Sequence, residues 1–84
     1  MKYEIVYSRR AVKDIQKLDT EIKERIGKNL LRYKESPLTY AEKLTDSQLG
    51  TYRFRIGDYR VVFDIEGSKI IVLRVGNRRE IYKR

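Results

Sequence analysis

The stretch Thr51-Tyr52-Arg53-Phe54-Arg55-Ile56-Gly57-Asp58-Tyr59-Arg60-Val61-Val62-Phe63 constrains the fold of this chain more than any other. Two alternating runs flank Gly57-Asp58, a two-residue turn with glycine in the first central position, as a type II′ hairpin requires. Closing the turn there sets Ile56 opposite Tyr59, Arg55 opposite Arg60 and Phe54 opposite Val61. Alternation along the strands then gives Arg53, Arg55 and Arg60 one face and Tyr52, Phe54, Val61 and Phe63 the other. Like charges directly opposed destabilise a sheet. A fold that keeps Arg55 against Arg60 therefore points to an anion held between them. The competing reading is a solvated basic face neutralised by a local carboxylate such as Asp64.

The flanking sequence builds an α+β domain around this hairpin. Tyr3, Ile5 and Tyr7 alternate with Lys2, Glu4 and Val6, the pattern of a strand. Ser8 is placed to cap a helix over residues 9–18, whose stripe is Ala11, Ile15 and Leu18. Asp19 or Thr20 can cap a second helix with the stripe Ile22, Ile26, Leu30 and Tyr33, flanked by Leu31. Gly27 interrupts that helix at a cost of about 1 kcal/mol relative to Ala. Ser36-Pro37 ends it. The short link between the helices predicts an antiparallel helical hairpin. Residues 38–50 read as a loop, with a helical turn around Tyr40 to Leu44. A third strand, Lys69–Val75, follows Gly67-Ser68 and completes an antiparallel three-stranded meander. That turn pairs Ile65 with Ile70, Phe63 with Val72 and Val62 with Leu73.

The helices are expected on the face of Phe54, Val61, Phe63, Ile65, Ile70 and Val72. The opposite face carries Arg53, Arg55 and Arg60 beside Val62, Ile71, Leu73 and Val75, so the middle strand is buried on both sides. An apolar patch rimmed by arginines calls for a cover. A partner protein is one candidate; the C-terminal tail or the 38–50 loop is the other. Gly76 permits a bend after the last strand that could return Arg78 and Tyr82 over the arginine face. A helical tail would put those two on one side.

Composition narrows the chemistry. The 84 residues form one small domain, 1–84, with a single modest core. The absence of Cys and His excludes disulfides, thiolate sites, imidazole catalysis and ordinary zinc sites. No acidic cluster suggests another metal, and no cofactor is expected. No apolar run reaches membrane-spanning length and no signal peptide is visible, so a soluble, cytoplasmic protein without a membrane partner is expected. The net charge of +8 is the footprint of a nucleic-acid binder or of a protein with an acidic partner. The surplus concentrates in residues 51–84, where seven of the nine basic residues are arginine. Arginine presents a planar fork to phosphate and stacks on bases, which favours phosphate recognition over mere solubility.

The order strand, helical hairpin, loop and meander resembles the RelE/ParE superfamily of toxin–antitoxin toxins. The matching motifs are Tyr52 to Phe63, quoted above, and Val72-Leu73-Arg74-Val75-Gly76-Asn77-Arg78-Arg79-Glu80-Ile81-Tyr82, with Ser36-Pro37-Leu38 and Lys43-Leu44 in the first half. The resemblance spans essentially the whole chain. It implies a RelE-like mRNA interferase that enters the ribosomal A site and cuts the mRNA there. The 2′-OH would attack the adjacent phosphate, leaving a 2′,3′-cyclic phosphate and a 5′-OH. It implies Arg60, Arg78 and Tyr82 as catalytic residues and Arg53, Arg55 and Arg79 as RNA contacts. It also implies a cognate antitoxin as partner.

Guanidinium groups can stabilise the non-bridging oxygens without a metal. Arginine cannot serve as a base near neutral pH. Tyr82 is then the carried-over residue able to take the 2′-OH proton. Two other readings share the basic charge: a ParE-like inhibitor of DNA gyrase, and a non-catalytic nucleic-acid-binding module.

Overall fold

The computed structural model describes residues 3–45 and 50–81. In chain order it has β1 (Glu4–Tyr7), α1 (Arg9–Gln16), α2 (Thr20–Tyr33), α3 (Pro37–Tyr40), β2 (Glu42–Lys43), β3 (Tyr52–Ile56), β4 (Tyr59–Glu66) and β5 (Lys69–Asn77). The strands form one sheet in the order β1-β5-β4-β3-β2. β1 runs parallel to β5, and the other neighbours are antiparallel. The meander is therefore the centre of a five-stranded mixed sheet.

The hairpin register is the one its turn dictates. Arg55 pairs with Arg60, Ile56 with Tyr59 and Phe54 with Val61. Gly57 sits at φ +62°, a conformation that a side chain would strain. The Ser8 hydroxyl caps α1 by accepting the Ala11 N–H at 3.1 Å. Asp19 occupies the cap position of α2 but makes no side-chain capping bond. The core lies between the helices and the predicted sheet face. Ala11, Ile26, Leu30 and Tyr33 meet Phe54, Val61, Phe63, Ile70 and Val72. An aromatic stack runs through it, Tyr33 to Phe54 at 4.8 Å and Phe54 to Phe63 at 4.3 Å between ring centroids. Leu31, at the flank of the α2 stripe, is exposed.

Two expectations are corrected, and a third point, left open between alternatives, is resolved. Residues 38–50 are not simply a loop. The helical turn comes earlier, at Pro37–Tyr40, where proline favours a first helical position. Tyr40 then stacks on Tyr33 at 4.5 Å. Glu42–Lys43 add a short edge strand to β3.

The second correction is a β-bulge. Val62 pairs with Arg74, not Leu73, while Phe63 keeps Val72, so Leu73 is the extra residue. A regular ladder would have set Arg74 opposite Val61, in the core. The bulge shifts Val75 into that place, and Val75 joins the core instead of the arginine face.

The third concerns the apolar patch. Val62 is fully buried, and the chain itself contributes the cover. A Cβ on Gly50 would stand 2.8 Å from Val62 and 2.9 Å from Leu73, so only glycine lets that backbone lie so close. The turn after β5 brings buried Ile81 back against Gly76.

Candidate functional site

The basic residues occupy the sheet face opposite the helices, and they divide into two groups. Arg53 and Arg55, on β3, converge on one carboxylate. Arg53 Nε donates to Glu42 Oε1 at 3.1 Å, and Arg55 Nη1 lies 3.7 Å from Glu42 Oε2. The short strand β2 places that carboxylate by setting Glu42 in register with Arg53. The local carboxylate anticipated on this face is therefore Glu42. Asp64 is otherwise engaged, accepting the Thr51 N–H at 2.7 Å.

The second group gathers at the Gly57-Asp58 turn. Arg60 Nη1 donates to the carbonyls of Gly57 and Tyr59, both at 2.9 Å. Arg60 is only 4% exposed, a buried cation held by the hairpin it follows. Arg78 continues the ladder past the end of β5, its N–H donating to Asp58 O at 2.8 Å. Its guanidinium stands 4.0 Å from Asp58 Oδ1 and is half exposed. The 55/60 pairing links the two groups across the hairpin.

The residues after β5 form turns, and Asn77 organises them. Its side chain accepts the Arg79 N–H at 2.9 Å, and its carbonyl accepts the N–H groups of Glu80 and Ile81. Arg79 is exposed on this turn. Tyr82 lies outside the described residues. Arg60 and Arg78 are thus brought to one turn, while Arg53 and Arg55 are held on Glu42.

Three features could not be read from local sequence. Asp14, on α1, receives Arg74 Nε at 2.8 Å and the Val75 N–H at 3.0 Å. This bond closes the edge of β5 where the shorter β1 no longer covers it. A cleft of about 350 Å³ opens beside the pair, lined in part by Lys17, Tyr59, Asn77 and Glu80. Arg25, from α2, lies with Nη2 only 2.8 Å from where a Cβ on Gly57 would stand. Glu42 is the third. One of two acids in the run 38–50, Glu42 gives no signal in the sequence that it will face two arginines. Asp14 and Arg74 offer only the weak hint of an arginine inside the apolar run Ile70–Val75.

Residues 5–82 match the family described as "ParE toxin of type II toxin-antitoxin system, parDE". The mRNA interferase toxin RelE of Escherichia coli K12 is 31% identical, over 98% of this chain and 92% of its own length. Among solved structures, a RelBE toxin–antitoxin complex from Mycobacterium tuberculosis superposes with a TM-score of 0.84 at 25% identity, covering 93% of this chain and all of that one. A chromosomal ParDE system from Pseudomonas aeruginosa shares the fold at a TM-score of 0.68, with 12% identity over 90% of this chain and 96% of that one. The helices packed on one face of a five-stranded sheet, the arginine-bearing β3–β4 hairpin and the match over nearly the whole length place this chain in the RelE/ParE superfamily of toxins of type II toxin–antitoxin systems.

Proposed function

We propose that this chain is the toxin of a toxin–antitoxin module and cleaves mRNA in the ribosomal A site without a metal ion. The observation that carries this reading is the arginine face. Arg53, Arg55 and Arg60 stand on adjacent strands, and Arg78 joins them at the hairpin turn. Guanidinium groups on a rigid sheet can bind the RNA backbone and offset charge on a phosphorane whose 2′-oxygen attacks in line. In this scheme Arg78, half exposed, meets the scissile phosphate. Arg60 acts from beneath, its buried charge fixed by two carbonyls. Arg53, Arg55 and Arg79 contact the flanking backbone. Tyr82 takes the 2′-OH proton. The 31% identity to a named mRNA interferase supports this assignment. A cognate antitoxin partner is supported by the complexes in which structural relatives are found.

The test is primer extension on ribosome-bound mRNA with the wild type and Arg78→Ala. Arg78 is chosen over Arg60 because its half-exposed side chain can be removed without opening the sheet. Cleavage within codons by the wild type, and its loss in the variant, is the expected result. The family match favours one second reading, inhibition of DNA gyrase. Inhibited supercoiling in a purified gyrase reaction, with mRNA left intact, would select it.

A further inference from the structure

The strand β2 is two residues long and sends one acid onto the arginine face. The two oxygens of Glu42 engage two different guanidinium groups, at 3.1 Å to Arg53 and 3.7 Å to Arg55. Two non-bridging oxygens of a phosphodiester would present the same pair of acceptors. The Glu42 and Arg55 side chains are 44% and 55% exposed and that of Arg53 is 28% exposed, so solvent reaches both contacts, the Arg55 one more freely. An exposed ion pair is cheap to break. This carboxylate also relieves the repulsion that Arg55 feels from Arg60 across the hairpin.

We propose that Glu42 is an internal anion that occupies the Arg53/Arg55 pair in the free protein, and that a phosphate of bound RNA displaces it. Glu42 thereby sets the affinity of the toxin for RNA. The inference rests on the RNA-binding reading of the arginine face. Part of the binding free energy of these two arginines is used to release an existing partner. Removing the carboxylate charge returns it.

The experiment is fluorescence anisotropy with a labelled single-stranded 2′-O-methyl RNA oligonucleotide, which cannot be cleaved through its 2′-oxygen. Glu42→Gln and Glu42→Ala should each bind about two- to five-fold more tightly than wild type at low salt, the size expected for releasing an exposed ion pair. The slope of log K against log salt should steepen by about 0.7, one additional effective phosphate contact on a single strand. Glu24→Gln, the same change in net charge at an exposed position on α2, should change little. The gain should vanish when Arg53→Ala and Arg55→Ala are combined with the Glu42 variants. If the double arginine variant weakens RNA binding but neither Glu42 variant tightens it, the displacement idea is wrong and the RNA-binding face stands. A gain from Glu24→Gln equal to that from Glu42→Gln also overturns it, as a net-charge effect. If the double arginine variant binds RNA as the wild type does, the RNA-binding reading of this face falls and the inference goes with it.

Discussion

The Asp14–Arg74 contact joins α1 to the far end of β5 and supports the strand that delivers Arg78. Replacing Asp14 by Ala removes three acceptor contacts, to Arg74 Nε, Arg74 Nη2 and the Val75 N–H. The two side chains are 9% and 20% exposed, so the pair is part-buried. A part-buried charge that loses its partner, together with an unsatisfied edge N–H, costs about 2–3 kcal/mol. For a domain of this size that lowers Tm by roughly 10–20 °C. Asp14→Asn keeps an oxygen able to accept the Val75 N–H, so its cost should be about half as large. Arg74→Met added to Asp14→Ala removes the stranded cation and should recover part of the loss, a coupling readable in a double-mutant cycle. Urea unfolding followed by circular dichroism measures the wild type, the three single variants (Asp14→Ala, Asp14→Asn and Arg74→Met) and the double variant. An Asp14→Ala variant within about 0.5 kcal/mol of wild type, or a double variant whose cost is the plain sum of the singles, would refute the reasoning.

Other substitutions test the fold around the site. Gly27 lies inside α2, and a Cβ placed there would have no neighbouring atom within 4 Å, so Gly27→Ala should stabilise by about 1 kcal/mol in the same unfolding assay. Gly57→Ala should destabilise by at least about 1 kcal/mol, because φ is +62° and the new methyl meets the Arg25 guanidinium. Burial raises the pKa of Tyr7 above its ordinary 10.0. The folded state thus holds that proton more tightly than the unfolded chain. Its contribution to stability is complete below about pH 10 and is lost as pH rises through the folded value. Tyr7→Phe should flatten the alkaline limb of a stability–pH curve above about pH 10.

The hairpin is legible in the sequence because everything that fixes it is local. Gly57 marks the turn, and a period of two assigns every side chain from Tyr52 to Phe63 to a face. The helices are legible for the same reason, through the Ser8 cap and the 3.6-residue stripe of Ile26, Leu30 and Tyr33. The remainder depends on contacts distant in sequence. The bulge at Leu73 satisfies Arg74, whose partner stands 60 residues earlier. β2 is too short to show any alternation, yet it delivers the carboxylate that neutralises β3. Among the candidate residues, strand position is predictable and the state of each charge is not. Alternation alone puts Arg60 on the open face with a phosphate to hold. It is buried, with its guanidinium donating to the carbonyls of its own turn. The arginine surplus is visible in the sequence, but the Glu42 and Asp58 contacts arise only once the chain has closed.

Purified ribosomes programmed with a defined mRNA offer the most direct measurement, with the fragment ends analysed by mass spectrometry. If the arginine face performs phosphodiester transfer, ribosome-bound mRNA incubated with the protein should yield fragments ending in 2′,3′-cyclic phosphate. Arg78→Ala, folded to the same Tm, should yield none. Intact mRNA with the wild-type protein, or cleavage undiminished in the variant, would contradict the account.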